Sequence, residues 1–293
     1  MTNRQWERTG RRTLSATSPH DRDHQADQLA RLVETWHGAC ADFVTLARSL
    51  PRELWDLPTD LEGWTVKDNV AHTAHLEAVL AGAPEETVEV AAAPHLKGFV
   101  NYYTEQGVLA RRDRDMAELV DEIERSVALR YAELQAAPPT DGLAAPPRTP
   151  GGAGWNFQTL LGNRPVDVWM HEQDVRRAVD RPGGYDSPAA AHTLRALGRA
   201  LPMVVGKRVA PPPGTTVRVD VPDAGLRWTV QVGDDGRAAA VTDAARPTTS
   251  VTLSPEDFVV LAGGRRGPEA THPLIEGDRE TAQRLLGVMA VTP

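Results

Sequence analysis

The spacing of apolar residues changes once along this chain, close to residue 210. Before that point, apolar residues recur at intervals of three and four, which is the period of an amphipathic helix. This period predicts helices over residues 25–49, 65–81, 95–110, 115–136, 157–179 and 188–205. At the start of the second helix, Thr65 and Asp68 have the spacing of a capping box, in which each side chain accepts a hydrogen bond from the other residue's backbone N–H.

Beyond residue 210, apolar residues alternate with polar ones, which predicts β-strands. Strands are expected over residues 216–221, 227–232, 237–242 and 249–253, followed by helices that begin near Ser254 and Asp278. The pattern therefore predicts a multi-domain protein with a helical bundle over residues 25–206 and a small α+β domain with an antiparallel sheet over residues 207–293. Residues 1–24 are polar, show no hydrophobic period and are predicted to form a disordered tail.

Composition narrows the class of protein. The formal net charge of −8 argues against nucleic-acid binding, because a protein that neutralises phosphates needs a basic surface. No apolar run approaches the roughly 20 residues of a membrane span. The N-terminus shows no secretion signal, so we expect a cytoplasmic protein without a membrane partner, as a monomer or weak homodimer. Cys40 is the only cysteine, so any metal must be held by histidine and carboxylate ligands.

Two of the predicted helices carry residues that are typical metal ligands. Asp167 and His171 are four positions apart, so one helix presents both on the same side. His72 lies on the inward stripe of another helix, and a bundle can bring it to the other two. Three ligands with a vacant fourth position are typical of a catalytic zinc site, and another divalent metal is an alternative. The same spacing is also compatible with an aspartate and a histidine that hydrogen-bond each other in a core.

Nearby residues have candidate supporting roles. His75, three positions further along the same helix, is either an alternative ligand or a partner behind the ligands. Asp174 is expected to orient a ligating imidazole or to serve as an alternative ligand. Arg164 is expected either to bind a substrate anion or to pair with Asp167. The proline-rich segment 138–154 is a long loop that either closes over the site or remains a plain solvent loop.

Two stretches resemble the mycothiol-dependent maleylpyruvate isomerase family of actinobacteria, namely Gly63–Asp68 followed by His72, and Asp167–Asp174. On this resemblance, the N-terminal part is similar to the DinB-like four-helix bundle of that family. The C-terminal part is similar to the family's second domain, which is related to sterol carrier proteins. The segments that carry this second likeness are Ser254–Phe258, Leu261–Arg266 and Ile275–Leu286.

The resemblance implies a zinc ion held by His72, Asp167 and His171, with mycothiol as cosubstrate. The family's isomerase has glutamate at the carboxylate position, and Asp167 is one methylene shorter, so the resemblance does not define the electrophilic substrate. It also implies an arginine of the C-terminal domain that acts on the substrate. Arg265 and Arg266 are the candidates for this catalytic role.

The residues and the resemblance together predict a zinc-dependent, mycothiol-using thiol transferase or isomerase. In this reaction a metal-bound thiolate attacks a small electrophile. One alternative is a metal-dependent hydrolase that activates a water molecule at the vacant position. Another alternative is a non-catalytic protein whose C-terminal unit binds an apolar small molecule and whose bundle has a regulatory role.

Overall fold

The computed structural model describes residues 19–242, 244 and 246–292. The helices of its N-terminal part are α1 (Pro19–Arg48), α2 (Val66–Leu80), α3 (Gly98–Leu109), α4 (Met116–Ala136), α5 (Phe157–Ala178) and α6 (Pro188–Gly198). Helices α1, α2, α4 and α5 pack on one another as a four-helix bundle, while α3 packs against α2 and α6 packs against α5. A short helix, α7 (Leu201–Met203), and a π-helical turn (Val204–Val209) lead into the C-terminal part.

The bundle forms because the predicted apolar stripes face one another. The large core side chains, each at most 1% exposed, include Trp36, Phe43, Leu119, Ile123 and Leu161. The predicted capping box is present at the start of α2. The Thr65 hydroxyl accepts from the Asp68 N–H at 3.2 Å, and the Asp68 carboxylate accepts from the Thr65 N–H at 2.9 Å. The cap fixes where α2 begins and therefore which residues of α2 face the core.

The C-terminal part is an α+β unit, as expected. Its elements are β1 (Thr216–Val221), β2 (Leu226–Val232), β3 (Ala238–Ala240), β4 (Thr249–Thr252), α8 (Pro255–Ala262), β5 (Leu274–Gly277) and α9 (Arg279–Gly287). The sheet order is β3-β2-β1-β4-β5. Neighbouring strands are antiparallel except β1 and β4, which pair in parallel, so the sheet is mixed where we expected it to be antiparallel throughout. Strands β3 and β4 run in the same direction, which requires the chain to return to the opposite end of the sheet between them.

The two predicted boundaries of the bundle, at residues 25 and 206, can now be compared with the helices of the structure. Residues 1–18 of the predicted tail lie outside the described residues. Helix α1 begins at Pro19, so residues 19–24 are helical rather than part of a tail. The boundary predicted at residue 206 falls inside the π-helical turn that ends at Val209 and stays a prediction. In the described part of the chain, no helix combines the length and the apolar content that crossing a bilayer requires.

Helix α6 and strand β2 meet at Gly198, where the indole of Trp228 occupies the space of a side chain. Trp228 also stacks on Phe258 of α8, with ring centroids 5.1 Å apart. A methyl group at position 198 would overlap the indole. We therefore expect Gly198→Ala to lower the free energy of unfolding by about 1–3 kcal/mol, the usual cost of overpacking.

Gly38 of α1 provides a matched control, because nothing lies within 4 Å of the position that its Cβ would occupy. Gly38→Ala should raise the free energy of unfolding by about 0.4–1 kcal/mol, since alanine restricts the unfolded chain more than glycine does. Urea titration measures both variants. Similar effects of the two substitutions would contradict the close contact between α6 and β2.

Candidate metal centre

Helices α2 and α5 bring His72, Asp167 and His171 together. One potential ligand atom from each residue lies within 4.8 Å of the other two. Asp167 Oδ2 lies 3.5 Å from His72 Nε2, and Asp167 Oδ1 lies 3.8 Å from His171 Nε2. Ligands bound about 2.0–2.2 Å from a tetrahedral zinc ion are roughly 3.4 Å apart, so the spacing suits a divalent metal. The convergence expected from the sequence is therefore present, and the role of these residues as ligands stays a proposal.

The imidazole of His171 is held by contacts to its Nδ1 atom. This atom lies 2.8 Å from the side-chain oxygen of Asn69. The Asn69 amide is itself oriented, because its nitrogen donates to the Thr65 carbonyl oxygen at 2.9 Å. His171 Nδ1–H therefore donates to Asn69, which leaves the Nε2 lone pair free on the side of Asp167. Asp174 Oδ2 lies 3.5 Å from the same Nδ1, which fits the orienting role predicted for Asp174.

His72 is buried without a hydrogen-bond partner. It is 2% exposed, and neither ring nitrogen has a hydrogen-bond partner among the described residues, although Asp167 Oδ2 approaches Nε2 to 3.5 Å. Burial lowers the pKa of His72 to about 4, so the ring is neutral at neutral pH and has a lone pair to offer. Trp64 covers the pair of histidines, with its ring 5.0 Å from that of His72 and 5.7 Å from that of His171. A buried polar ring without a partner costs free energy, and coordination of a metal would remove that cost.

Asp167 is held as a carboxylate by its neighbour Arg164. Arg164 Nη1 donates to Asp167 Oδ2 at 2.8 Å. Burial raises the pKa of Asp167, but Arg164, His72 and His171 together outweigh this effect and hold the pKa well below its usual range. Arg164 is 0% exposed and also binds Glu77 at 2.7 Å. The position of Arg164 does not support the prediction that it binds a substrate anion, because the guanidinium is enclosed; the alternative, pairing with Asp167, is the contact that the structure has.

The chemistry of these residues makes them a candidate metal-binding set, because two imidazole nitrogens and one carboxylate oxygen suit zinc and other divalent transition metals. Among the described residues, no other group of three histidine, cysteine or acidic side chains converges in this way. The unpartnered nitrogens of His72 are the observation that favours a metal over a simple hydrogen-bonded cluster.

A cavity of about 460 Å³ lies beside these residues, between the bundle and the C-terminal part. His72, Asp167, His171 and Trp64 form part of its wall. Residues of the segment 95–104, including the start of α3, form another part of the wall. The C-terminal part contributes Gly264, Arg265 and Thr292. The cavity gives a small molecule direct access to the open side of the three candidate ligands.

The segment that borders the cavity differs from the one expected. None of the lining residues comes from the proline-rich segment 138–154. Its Pro146, Pro147 and Arg148 line a smaller cavity with Arg130 of α4 and Phe157 of α5, while Gly151 lies against Phe99 and Tyr103 of α3. A role of the segment 138–154 as a lid over the site is therefore not supported, and the segment 95–104 borders the site in its place.

The two candidate arginines are placed differently. Arg265 lines the cavity, and its Nε and Nη2 donate to Asp174 at 3.0 and 2.9 Å. Arg266 donates to Asp60 at 2.9 Å, is 44% exposed and does not line this cavity. The catalytic role predicted for Arg266 is thus not supported by its position. Arg265 is linked through Asp174 to the imidazole of His171.

His75 does not join the cluster, although it lies only one turn from His72. Its ring faces α3, 5.4 Å from the ring of Tyr103 and against Gly107. Its Nδ1 lies 3.5 Å from Arg111 Nη1, and burial lowers the pKa of His75 to about 3. Three helical positions turn a side chain by about 60° from the starting direction, which here changes the neighbouring helix from α5 to α3. The structure therefore gives His75 no place as a ligand or behind the ligands.

Sequence reasoning missed three residues that shape the site. Asn69 lies three positions before His72 on the same face of α2, so helical spacing was a usable signal. Trp64 is fixed by a hydrogen bond from its Nε1 to Glu105 of α3 at 2.8 Å, a contact between elements that no local pattern reveals. Glu77 stands in an apolar stretch of α2 and is 0% exposed; a single carboxylate in such a stretch is a sign of a buried ion pair.

The comparison with family models defines the two parts of the chain. Residues 36–176 match the mycothiol maleylpyruvate isomerase N-terminal domain. Residues 199–290 match the SCP-2 sterol transfer family. A helical bundle of the first kind followed by a domain of the second kind is the class of protein that the fold defines. Residues 36–176 therefore belong to the family of mycothiol maleylpyruvate isomerase N-terminal domains, and residues 199–290 belong to the SCP-2 sterol transfer family.

Solved structures share this fold. A crystal structure of the mycothiol-dependent maleylpyruvate isomerase aligns with a TM-score of 0.53 and 20% sequence identity, over 84% of this chain and 92% of that chain. A histidine-to-alanine mutant of that isomerase aligns over the same shares with a TM-score of 0.50 and 20% identity. At this level of identity, the likeness establishes the fold. No curated protein matches the sequence significantly.

Proposed function

We propose that this protein is a metal-dependent enzyme that uses mycothiol to isomerise a small electrophilic substrate or to transfer the thiol to it. The observation that carries the proposal is the convergence of His72, Asp167 and His171 on the wall of a cavity of about 460 Å³. The family of residues 36–176 and the fold shared with a mycothiol-dependent isomerase support mycothiol as the cosubstrate.

The chain itself offers no accessible thiol, so the thiolate of the proposed reaction would have to come from the cosubstrate. Cys40 is the only cysteine and is 1% exposed in the bundle core, where burial raises the pKa of its thiol. A free thiol has a pKa of about 8.5 in water, so only a small fraction is thiolate at neutral pH. When bound, zinc or another divalent metal would supply the charge that keeps the thiol of mycothiol deprotonated.

The protein's residues would bind and orient the reactants. Asn69 holds the His171 ring in one tautomer, and Trp64 shields the two histidines on one side. The cavity wall carries two basic side chains, Lys97 and Arg265. Lys97 forms no ion pair within the described part of the chain, so we assign to it the binding of anionic groups on the electrophile or on mycothiol, whereas the guanidinium of Arg265 is engaged by Asp174.

Metal analysis of the purified protein, followed by calorimetric titration with mycothiol, tests the proposal. We expect one divalent metal per chain, and mycothiol binding that is lost when a chelator removes the metal. Absence of zinc together with no thiol binding after zinc is supplied would overturn the proposal. Hydrolysis of a substrate that proceeds equally well without any thiol would overturn the use of mycothiol and favour a hydrolase.

A further inference from the structure

Behind Asp167, on the side away from the cavity, lies a continuous set of buried charged groups. Arg164 uses Nη1 to bind Asp167 Oδ2 at 2.8 Å. Its Nε and Nη2 bind Glu77 Oε1 at 3.0 and 2.7 Å. Because all three guanidinium nitrogens are engaged by two carboxylates, Arg164 has one geometry, and its hydrogen bond fixes the Asp167 carboxylate in turn.

Glu77 is the hub of this set. Its Oε1 also accepts from Trp36 Nε1 at 3.0 Å, and its Oε2 accepts from Arg130 Nη1 at 3.2 Å. The guanidinium of Arg130 lies over the ring of Trp36, 4.5 Å from its centroid. Glu77 thus receives hydrogen bonds from α1, α4 and α5 while it stands on α2. The position of Arg164 is therefore tied to all four helices of the bundle.

The charges alternate along the set: Asp167 is negative, Arg164 positive, Glu77 negative and Arg130 positive. The side chains of Arg164 and Glu77 are 0% exposed and that of Arg130 is 5% exposed. Buried ion pairs of this kind add little net stability, because desolvation consumes most of the attraction. Bundle packing alone therefore does not account for four charged residues that end on a candidate metal ligand.

We propose that Arg164, anchored by Glu77, is the positioning residue of the metal centre, and that it holds the short Asp167 carboxylate toward His72 and His171. Oδ2 of Asp167 accepts a hydrogen bond from Arg164. Oδ1 accepts no hydrogen bond within the described part of the chain and lies 3.8 Å from His171 Nε2. Aspartate reaches less far from its helix than glutamate, so its orientation depends more on a fixed partner. This inference rests on the proposed function, since it requires that the three residues bind a metal.

Glu77→Gln tests the inference through zinc affinity, measured by competition with a chromophoric chelator. The substitution keeps the shape of the side chain but removes its charge, so the anchor of Arg164 is weakened. Loss of a hydrogen-bonded partner behind a metal ligand typically costs 10–100-fold in affinity; because Glu77 acts through Arg164, we expect a loss of about tenfold. A second variant combines Glu77→Gln with Arg130→Met. It removes the charges of both residues, so Arg130 is not left as an unpaired buried cation. It should show the same loss of zinc affinity, and it keeps the test possible if the single variant folds poorly.

Leu119→Ala provides the control for general destabilisation. Leu119 is a fully buried residue of α4, and this change should lower the melting temperature without altering zinc affinity. Wild-type zinc affinity retained in the double variant, while the wild-type chain binds zinc, would overturn the positioning role and leave the proposed function intact. A wild-type chain that binds no zinc would overturn both.

Discussion

His72→Ala is expected to abolish zinc binding at physiological metal concentrations. His72 provides one of three candidate ligands, and both of its ring nitrogens lack a hydrogen-bond partner in the described part of the chain. Removing a ligand should cost more than the roughly 10–100-fold that follows the loss of a residue behind a ligand. Zinc content after dialysis and chelator competition measure the effect.

His75→Ala is the matched control for this substitution. It removes the same side chain from the same helix one turn further on, at a position that is equally buried but faces α3. Zinc affinity should stay at the wild-type level. Retention of zinc by the His72 variant, or equal loss in both variants, would contradict the ligand assignment.

Asp174→Ala is expected to produce the largest loss of stability among these variants. Asp174 is 0% exposed and accepts hydrogen bonds from Arg265 of the C-terminal part and from Arg177 of α5. Its removal leaves two largely buried guanidinium groups without this carboxylate. Breaking a buried pair in this way costs about 3–5 kcal/mol. Denaturant unfolding should show this decrease.

Asp235→Ala is the control for the loss of an aspartate from an ion pair. Asp235 Oδ2 lies 3.8 Å from Arg237 Nε, and the two side chains are 65% and 90% exposed. Such a pair contributes about 0–1 kcal/mol, so this variant should remain close to the wild type. A comparably small effect of Asp174→Ala would show that the two parts of the chain are not joined through Asp174.

The contribution of Asp174 also has a defined pH dependence. Burial raises the pKa of Asp174, but Arg265 and His171 outweigh this effect and hold it well below its usual range. A carboxyl with a depressed folded-state pKa stabilises the fold fully above its unfolded pKa of about 3.9 and loses that contribution as the pH falls below it. The stabilities of the wild type and the Asp174 variant should therefore converge in acid, which unfolding titrations at several pH values can measure.

The sequence predicted the parts of the site that depend on one helix at a time. The four-residue spacing of Asp167 and His171 defines a shared face of α5, and the capping box sets the start of α2. The partner of Arg164 on α2 was beyond reach, because Glu77 is 87 positions away along the chain and the contact depends on how α2 and α5 are aligned. Helical periodicity specifies which face of a helix is buried but not its register against another helix.

The same limit explains the errors elsewhere in the fold. Alternation of apolar residues in β4 indicates a strand but does not distinguish a parallel from an antiparallel partner, so the pairing of β1 with β4 could not be predicted. The length and proline content of the segment 138–154 indicated a loop near the bundle without indicating which end it covers. The segment 95–104 was predicted only as a helix, and its place at the cavity follows from the packing of α3 on α2.

Cobalt substitution provides the most direct measurement of a metal centre that accepts the thiol of mycothiol. The cobalt-loaded protein, titrated with mycothiol, should develop a sulfur-to-cobalt charge-transfer absorption that saturates at one thiol per metal. The His72→Ala variant should show no such absorption. Stoichiometric cobalt binding by the wild type with no charge-transfer absorption at saturating mycothiol would contradict the account.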